Sequence, residues 1–269
     1  MKRFLKILAI AAVLFIILGL DPRLQTTYYD YSSTKIPASF DGFCIVQLSD
    51  FHLKKFGKKE SVLIQAVNDC QPDLIVFTGD VIDENHRDIS PLKDLLEGIY
   101  QTAPIYYISG NHDLLEDALP MRHEMEQLFM EYGVINLDDQ ETVIYHGDST
   151  IRLTGLGWHS RYFSNFINPA DLDYFNILLY HGSNYFPGLS QYGYDLLLAG
   201  HVHGGIVRLP FLGGVFSNEG SLFPTYDSGI FQENGCVMIS SRGLGDARIP
   251  RFYNRPEVVS ITLHAKTVE

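Results

Sequence analysis

The chain is short of positive charge, has no paired cysteines and contains no low-complexity tract, and each absence narrows what it can be. Lysine and arginine number 20 against 32 acidic residues, for a net charge of −12 and a pI near 5.2. A protein that grips nucleic acid by its phosphates needs the opposite balance, so no nucleic-acid partner is expected. Cys44, Cys70 and Cys236 lie far apart, with no CxxC pair and no zinc-finger spacing. Their odd count excludes a complete intramolecular disulfide framework. With 46% hydrophobic residues and a mean hydropathy of +0.01, the 269 residues read as globular and long enough for a substantial core.

Long uncharged apolar runs are absent too, except at the start. Lys2, Arg3 and Lys6 precede ILAIAAVLFIILGL (7–20), and Asp21-Pro22 ends the run. From Phe4 to Leu20 a helix would measure about 25 Å, just short of a bilayer core of roughly 30 Å. A basic flank before a short apolar run also fits a secretory signal, but Leu18-Gly19-Leu20 puts large residues where a small-x-small cleavage site would stand. The expectation is an uncleaved, single-pass transmembrane anchor over residues 1–22 at the cell membrane. Its N-terminus would lie in the cytoplasm and the rest of the chain outside. Taking the three charges of Lys2, Arg3 and Lys6 from the total leaves −15 on that remainder. Residues 23–40, with the Tyr-rich QTTYYDYSSTK, read as a linker or an edge strand, and 41–269 as the main domain.

That domain begins with alternating strands and helices. FCIVQLSD (43–50), LIVFTGD (74–80) and IYYISGNHD (105–113) are short apolar strands. Between and after them come helices at 61–70, with Ser61 as N-cap, at Ser90-Pro91 onward, and at 121–133, closed by Gly133. A β-rich half follows: TVIYHG, IRLTGLGW, FNILLYHG, YDLLLAGH, CVMISSRG and EVVSITLH. The order predicts α/β layering with two packed sheets.

The apolar strands end in unusual company: Asp50-x-His52, Gly79-Asp80, Gly110-Asn111-His112-Asp113, His181-Gly182 and Gly200-His201-x-His203. Open α/β sheets bind ligands at such ends. Singly, each pattern is ordinary turn chemistry. Together they offer hard oxygen and imidazole donors at five successive strand ends, most with an adjacent glycine that lets the backbone pass close to a ligand. Two divalent cations sharing a carboxylate need that inventory, and imidazole biases the choice to Mn, Fe or Zn over Mg or Ca.

In order and spacing, SDFH, TGD, GNHD, YHG and GHVH resemble the five signature blocks of the calcineurin-like metallophosphoesterase superfamily. GHVHGGIVRLP, SRGLG, RPEVVSITL and the N-terminal run are similar to a membrane-associated bacterial phosphodiesterase branch, whose usual block reads GHTHGGQ; here Val202 and Ile206 replace the Thr and Gln. The resemblance implies a four-layer α/β/β/α sandwich of two mixed sheets as the catalytic domain. It implies one metal on Asp50, His52 and His203, a bridging Asp80, and a second metal on Asn111, His181 and His201. His112 would protonate the leaving alkoxide, with Asp113 orienting it.

The expected function is hydrolysis of a phosphodiester or pyrophosphate bond, in a lipid-linked substrate at the membrane. A general phosphodiesterase or phosphatase acting on soluble substrates, or a non-catalytic binding protein, is the alternative. Arg208 and Arg242, which follow the last blocks, could clamp a second phosphate or form surface ion pairs. His86, His123, His146 and His264 lack any motif context. The aromatic stretch around Trp158 and His159 reads as core, a cap on the site or a lipid contact.

Overall fold

In the computed structural model, residues 1–218, 220–246 and 249–267 are described. Helix α1 (Lys2–Gly19) leads into strand β1 (Gln25–Ser33), so the Tyr-rich stretch is an edge strand. Then follow β2 (Cys44–Leu48), α2 (Ser61–Asp69), β3 (Leu74–Thr78), α3 (Ser90–Ile99), β4 (Ile105–Ile108), α4 (Leu119–Tyr132) and β5 (Ile135–Asn136). The second half supplies β6 (Gln140–His146), β7 (Ser149–Leu156), β8 (Asn176–Gly182), the one-turn α5 (Phe186–Leu189) and β9 (Leu196–Gly200). It closes with β10 (Val207–Leu209), β11 (Gly213–Phe216), β12 (Gly229–Glu233), β13 (Cys236–Ser240) and β14 (Glu257–Ala265).

Two six-stranded sheets face each other, ordered β1-β14-β2-β3-β4-β5 and β12-β13-β9-β8-β7-β6. Both are mixed: β2, β3, β4 and β5 run parallel, as do β7, β8, β9 and β13, while β14 is antiparallel to β2 and β6 to β7. Period-two alternation sorts the side chains between layers. Val46, Leu48, Ile75 and Phe77 face α2, α3 and α4, through Leu63, Val67, Leu95, Leu96 and Phe129. Ile45, Leu74 and Val76 face the other sheet, where Ile177, Leu179, Leu196 and Leu198 meet them. Gln47 is fully buried between the sheets and donates to Thr78 Oγ1 and to the Ala199 carbonyl, both at 2.9 Å, so one polar tie fixes β2 and β3 against β9.

The fourth layer differs from expectation. Leu178, Tyr180, Leu197 and Met238 are covered by α5, neighbouring 3-10 turns and aromatic loops, not by long helices. Gly, Pro and Tyr punctuate this stretch and leave no helical period. Helix α2 also starts differently: Glu60, in left-handed geometry at φ 54°, occupies the cap position, and no side chain caps the helix there. Gly133 closes α4 at φ 71°, as expected.

The expected transmembrane span is corrected. Among the described residues no helix is long and apolar enough to cross a membrane. Helix α1 has 18 residues, and the charges of Lys2, Arg3 and Lys6 leave the uncharged part near 20 Å at about 1.5 Å per residue. Its large apolar side chains, among them Phe4, Ile7, Ile10, Leu14, Ile17 and Leu18, are nevertheless exposed.

Candidate active site

The ends of β2, β3 and β4 in one sheet and of β8 and β9 in the other converge on one edge of the sandwich. Backbone pairing runs past the strands to shape them: Asp50 N donates to Gly79 O, and His52 N to Asp80 O. Asp50, His52, Asp80, His201 and His203 all take positive φ, between 47° and 76°. That conformation costs an L-residue about 1–2 kcal/mol. Five strained residues at one edge mark a site that the surrounding fold holds in place. Close approach requires glycine at two neighbours: a Cβ on Gly110 would strike Asp80 Oδ1 and N, and one on Gly200 would strike Ser49 Oγ and Asp50 Oδ2.

The side chains meet in two overlapping groups, Asp50–His52–His203 and Asp80–His181–His201. Asp50 Oδ1 lies 3.3 Å from His203 Nε2, and the Nε2 atoms of His52 and His203 are 3.3 Å apart. Asp80 Oδ2 lies 3.1 Å from His181 Nε2 and 3.7 Å from His52 Nε2, so this oxygen faces both groups. His201 Nδ1 is 3.2 Å from His181 Nε2. Orientation is fixed from outside: the Thr78 carbonyl holds His181 Nδ1 at 2.7 Å, and buried Arg251 approaches His203 Nδ1 at 3.3 Å. The Trp158 ring packs on His201 and His181, with centroids 4.9 and 5.5 Å away.

Electrostatics ask for added positive charge here. Burial would raise Asp50 and Asp80, yet His203 and His181 hold the first below the carboxylate range, and His181 does so for the second. Burial opposes a proton on His181, but Asp80 lifts it to about 9. His203 is driven to about 3 by burial, against the pull of Asp50. A divalent cation would supply the charge that His181 otherwise supplies with a proton. Asn111 Oδ1 is buried without a hydrogen-bond partner, as a neutral ligand awaiting a cation would be. The donor set therefore fits two divalent metals.

His112 and Asp113 separate in role. The Asp113 carboxylate accepts from the backbone amides of Asp80, Ile82 and Gly110 and from the Tyr107 hydroxyl, at 2.8–3.0 Å. It braces the loop that carries Asp80 and does not touch His112, which corrects the expected orienting role. That role falls to Glu84, whose Oε2 is 2.7 Å from His112 Nδ1. Burial lowers His112, but Asp80 and Glu84 outweigh it and raise the imidazole above its ordinary value. The acidic Asp83-Glu84 after GDVI is the signal for it in the sequence, and it lies outside the motif blocks.

The metal edge opens into a cleft of 590 Å³ lined by His52, Asn111, His112, His201 and His203, with Asp83, Glu84, His86, Asn218, Asp246 and Ile249 around its mouth. His86, without motif context in the sequence, thus stands on the rim, paired with Asp83 at 3.0 Å. Arg208 and Arg242 do not line this cleft, so the phosphate clamp expected of them is corrected. Arg208 pairs with Asp227 at 2.8 Å, and both arginines face a separate cleft.

Known proteins place this geometry. The family model for calcineurin-like phosphoesterases matches residues 44–205. The chain is 30% identical over 272 residues to a Bacillus subtilis protein described as an uncharacterized metallophosphoesterase, YkuE, covering 91% of this chain and 87% of that one. It is 27% identical over 231 residues to the Escherichia coli phosphodiesterase YaeI, covering 82% of each. Five donor-bearing strand ends gathered on two mixed sheets, together with these matches, identify a metal-dependent phosphoester hydrolase, and the chain belongs to the calcineurin-like phosphoesterase family.

Proposed function

We propose that the chain hydrolyses a phosphodiester or pyrophosphate bond in a lipid-linked substrate at a membrane surface. Asp50, His52 and His203 would hold one divalent metal, Asn111, His181 and His201 the second, and Asp80, which faces both groups, would be shared. Four imidazoles in this set favour Mn, Fe or Zn. When bound, the metals supply Lewis-acid stabilisation of the phosphoryl oxygens and activate water for attack. His112, held at Nδ1 by Glu84, keeps Nε2 free to protonate the leaving oxygen. Asp113 keeps the Asp80 loop rigid.

The cleft's charge carries the preference for a diester. Among the described residues lining it there is no Lys or Arg, while Asp83, Glu84 and Asp246 stand at its mouth. A monoanionic diester enters that field at less cost than a dianionic monoester. The name of YaeI as a phosphodiesterase agrees.

The lipid part rests on a second cavity of 450 Å³, which shares Asp246 and Ile249 with the metal cleft and is lined by apolar Leu20, Pro22, Pro250 and Pro256 beside charged Asp21, Lys54 and Arg251. It lies between the metal cleft and the foot of α1, with apolar walls that could seat the start of a tail and charged groups that could face its polar end. Helix α1 buries its exposed side chains in lipid and keeps the catalytic domain beside its substrate, which raises effective concentration.

The test is metal analysis of the purified full-length chain, then turnover of lipid diesters and lipid pyrophosphates in vesicles against a soluble chromogenic diester and monoester. Faster turnover of the soluble diester than of every lipid would replace this reading with a general phosphodiesterase.

A further inference from the structure

The cleft that Arg208 and Arg242 do line is built on an exposed apolar loop. It holds 360 Å³ between Arg208, Arg242, Tyr253 and the turn of the β10–β11 hairpin. That hairpin pairs Arg208 with Gly214 and Leu209 with Gly213, leaving Pro210, Phe211 and Leu212 at the tip. Phe211 is fully exposed and Leu212 is 65% exposed. Phe211 also takes φ 69°, a strained geometry for a side chain with no partner in the fold. Leu222 and Phe223, bonded to the outer strand of the same hairpin through Phe216 and Val215, are equally bare. A turn under no other demand would carry Gly, Asn or Asp.

The tip is tied to α1. Arg208 N donates to Phe252 O at 2.8 Å, and Tyr253 N donates to Gly19 O at 2.6 Å. The Tyr253 hydroxyl bonds Phe15 O at 3.0 Å, and the two rings lie 4.9 Å apart. Phe252–Tyr253 thus clasps the hairpin base on one side and the last turn of α1 on the other. The hairpin base and the last turn of α1 are thereby anchored to the same two residues.

Charge at the base of the tip is arranged for an anion. Asp227 and Glu257 sit behind the arginines, at 2.8 Å from Arg208 and 3.6 Å from Arg242, and neither lines the cleft. Arg242 Nε is buried and faces Glu257 at 3.6 Å, beyond hydrogen-bond reach. In a domain of −15, this cleft is lined by two guanidinium groups, each paired with a carboxylate behind it, and by no carboxylate among its described lining residues.

We propose that the Arg208–Arg242–Tyr253 cleft binds the phosphate of an anionic membrane phospholipid, with Phe211 and Leu212 wedged among its acyl chains. The site is separate from the metal centre and rests on the membrane-surface part of the proposed function. The chain needs only the step from Arg208 to Phe211 to pass from a half-buried cation to a bare aromatic ring, which matches the short step from headgroup to hydrocarbon. The pair of arginines also overcomes locally the repulsion that an acidic domain meets at an anionic surface.

The experiment uses the full-length chain carrying Phe211→Trp, read against the wild-type emission of Trp158. It is mixed with phosphatidylcholine vesicles, with and without phosphatidylglycerol, containing brominated acyl chains. The expected result is co-flotation with a blue-shifted, quenched signal from the introduced indole that strengthens with phosphatidylglycerol. Adding Arg242→Gln, with metal content unchanged, should weaken the phosphatidylglycerol dependence about fivefold, the worth of one basic group near an anionic surface. Flotation with an unshifted, unquenched indole at the hairpin tip overturns the inference and leaves membrane attachment by α1 standing. No flotation overturns the membrane reading, and this one with it. A blue shift that grows with protein concentration in the absence of vesicles overturns it in favour of a second copy of the chain. Equal quenching in both vesicle types, untouched by Arg242→Gln, overturns the phosphate site.

Discussion

Replacing Asp80 by Asn removes one charge and keeps the shape, and the surroundings decide which way the amide turns. Asp80 Oδ1 accepts the His112 amide at 2.8 Å, while Oδ2 faces His181 at 3.1 Å and His52 at 3.7 Å. An amide nitrogen cannot accept from the His112 N–H, so the remaining oxygen must stay on that side. The NH₂ group then points at both metal positions, where it is no ligand. Breaking a buried charge pair by removing one partner costs about 3–5 kcal/mol, equivalent to a loss of about 10²–10⁴ in affinity or rate. The assay is metal content by elemental analysis beside hydrolysis of a diester. Asp80→Asn is expected to lose one or both metals and turnover within that range. A variant that keeps two metals per chain and wild-type turnover would refute the bridging assignment.

Glu84→Gln keeps an acceptor for His112 but not the charge, and Glu84→Ala keeps neither; turnover should fall about 10–100-fold in the second and less in the first, with metal content unchanged. Wild-type turnover in Glu84→Ala would remove Glu84 from the site. Gly110→Ala drives a methyl into Asp80 and should destabilise the fold by about 1–3 kcal/mol in urea unfolding, with metal lost. Glu60, buried and accepting only the Phe56 amide, is pushed by burial to about 7. Because its folded value lies above the unfolded one, it subtracts stability as pH rises from the ordinary carboxylate range through 7. Glu60→Gln should therefore gain up to about 3 kcal/mol over wild type at pH 8 but little at pH 5, and an equal difference at both pH values would refute the cause.

Strand ends were legible in the sequence because two separate signals coincide there. A run such as LLLAG or LIVFT must be buried on both faces, and the residue that follows is the first free to be polar. Asp50, Asp80, His181 and His201 could therefore be assigned to one edge before any coordinate was known. Arg208 and Arg242 could not. Their spacing placed them near the site, but where a long guanidinium ends depends on Asp227 and Glu257, which lie 19 and 15 residues further along the chain. Glu84 was hidden for a similar reason, since its pairing with His112 joins two loops and leaves no period in either. The thin outer layer over β8 and β9 was misjudged because aromatic packing of Tyr180, Phe186 and Tyr226 needs no helix.

The same division explains where the fold carries its costs. The strands follow simple rules: alternation, apolar burial and one glutamine whose amide nitrogen ties the two sheets. At the metal edge, positive φ at Asp50, His52, Asp80, His201 and His203, the buried carboxylates of Asp50 and Asp80 and the orphaned Asn111 oxygen occur together. Each would be a defect in a core whose only task was stability, and each is relieved when a cation sits among Asp50, Asp80 and the histidines. Phe211 repeats the logic on another surface. Its exposed ring gains nothing from the fold itself, which is what motivates the proposed contact outside it. Internal mismatch at the metal edge points to an ion, and the bare hairpin tip near an exposed apolar helix is the ground for the lipid contact proposed above.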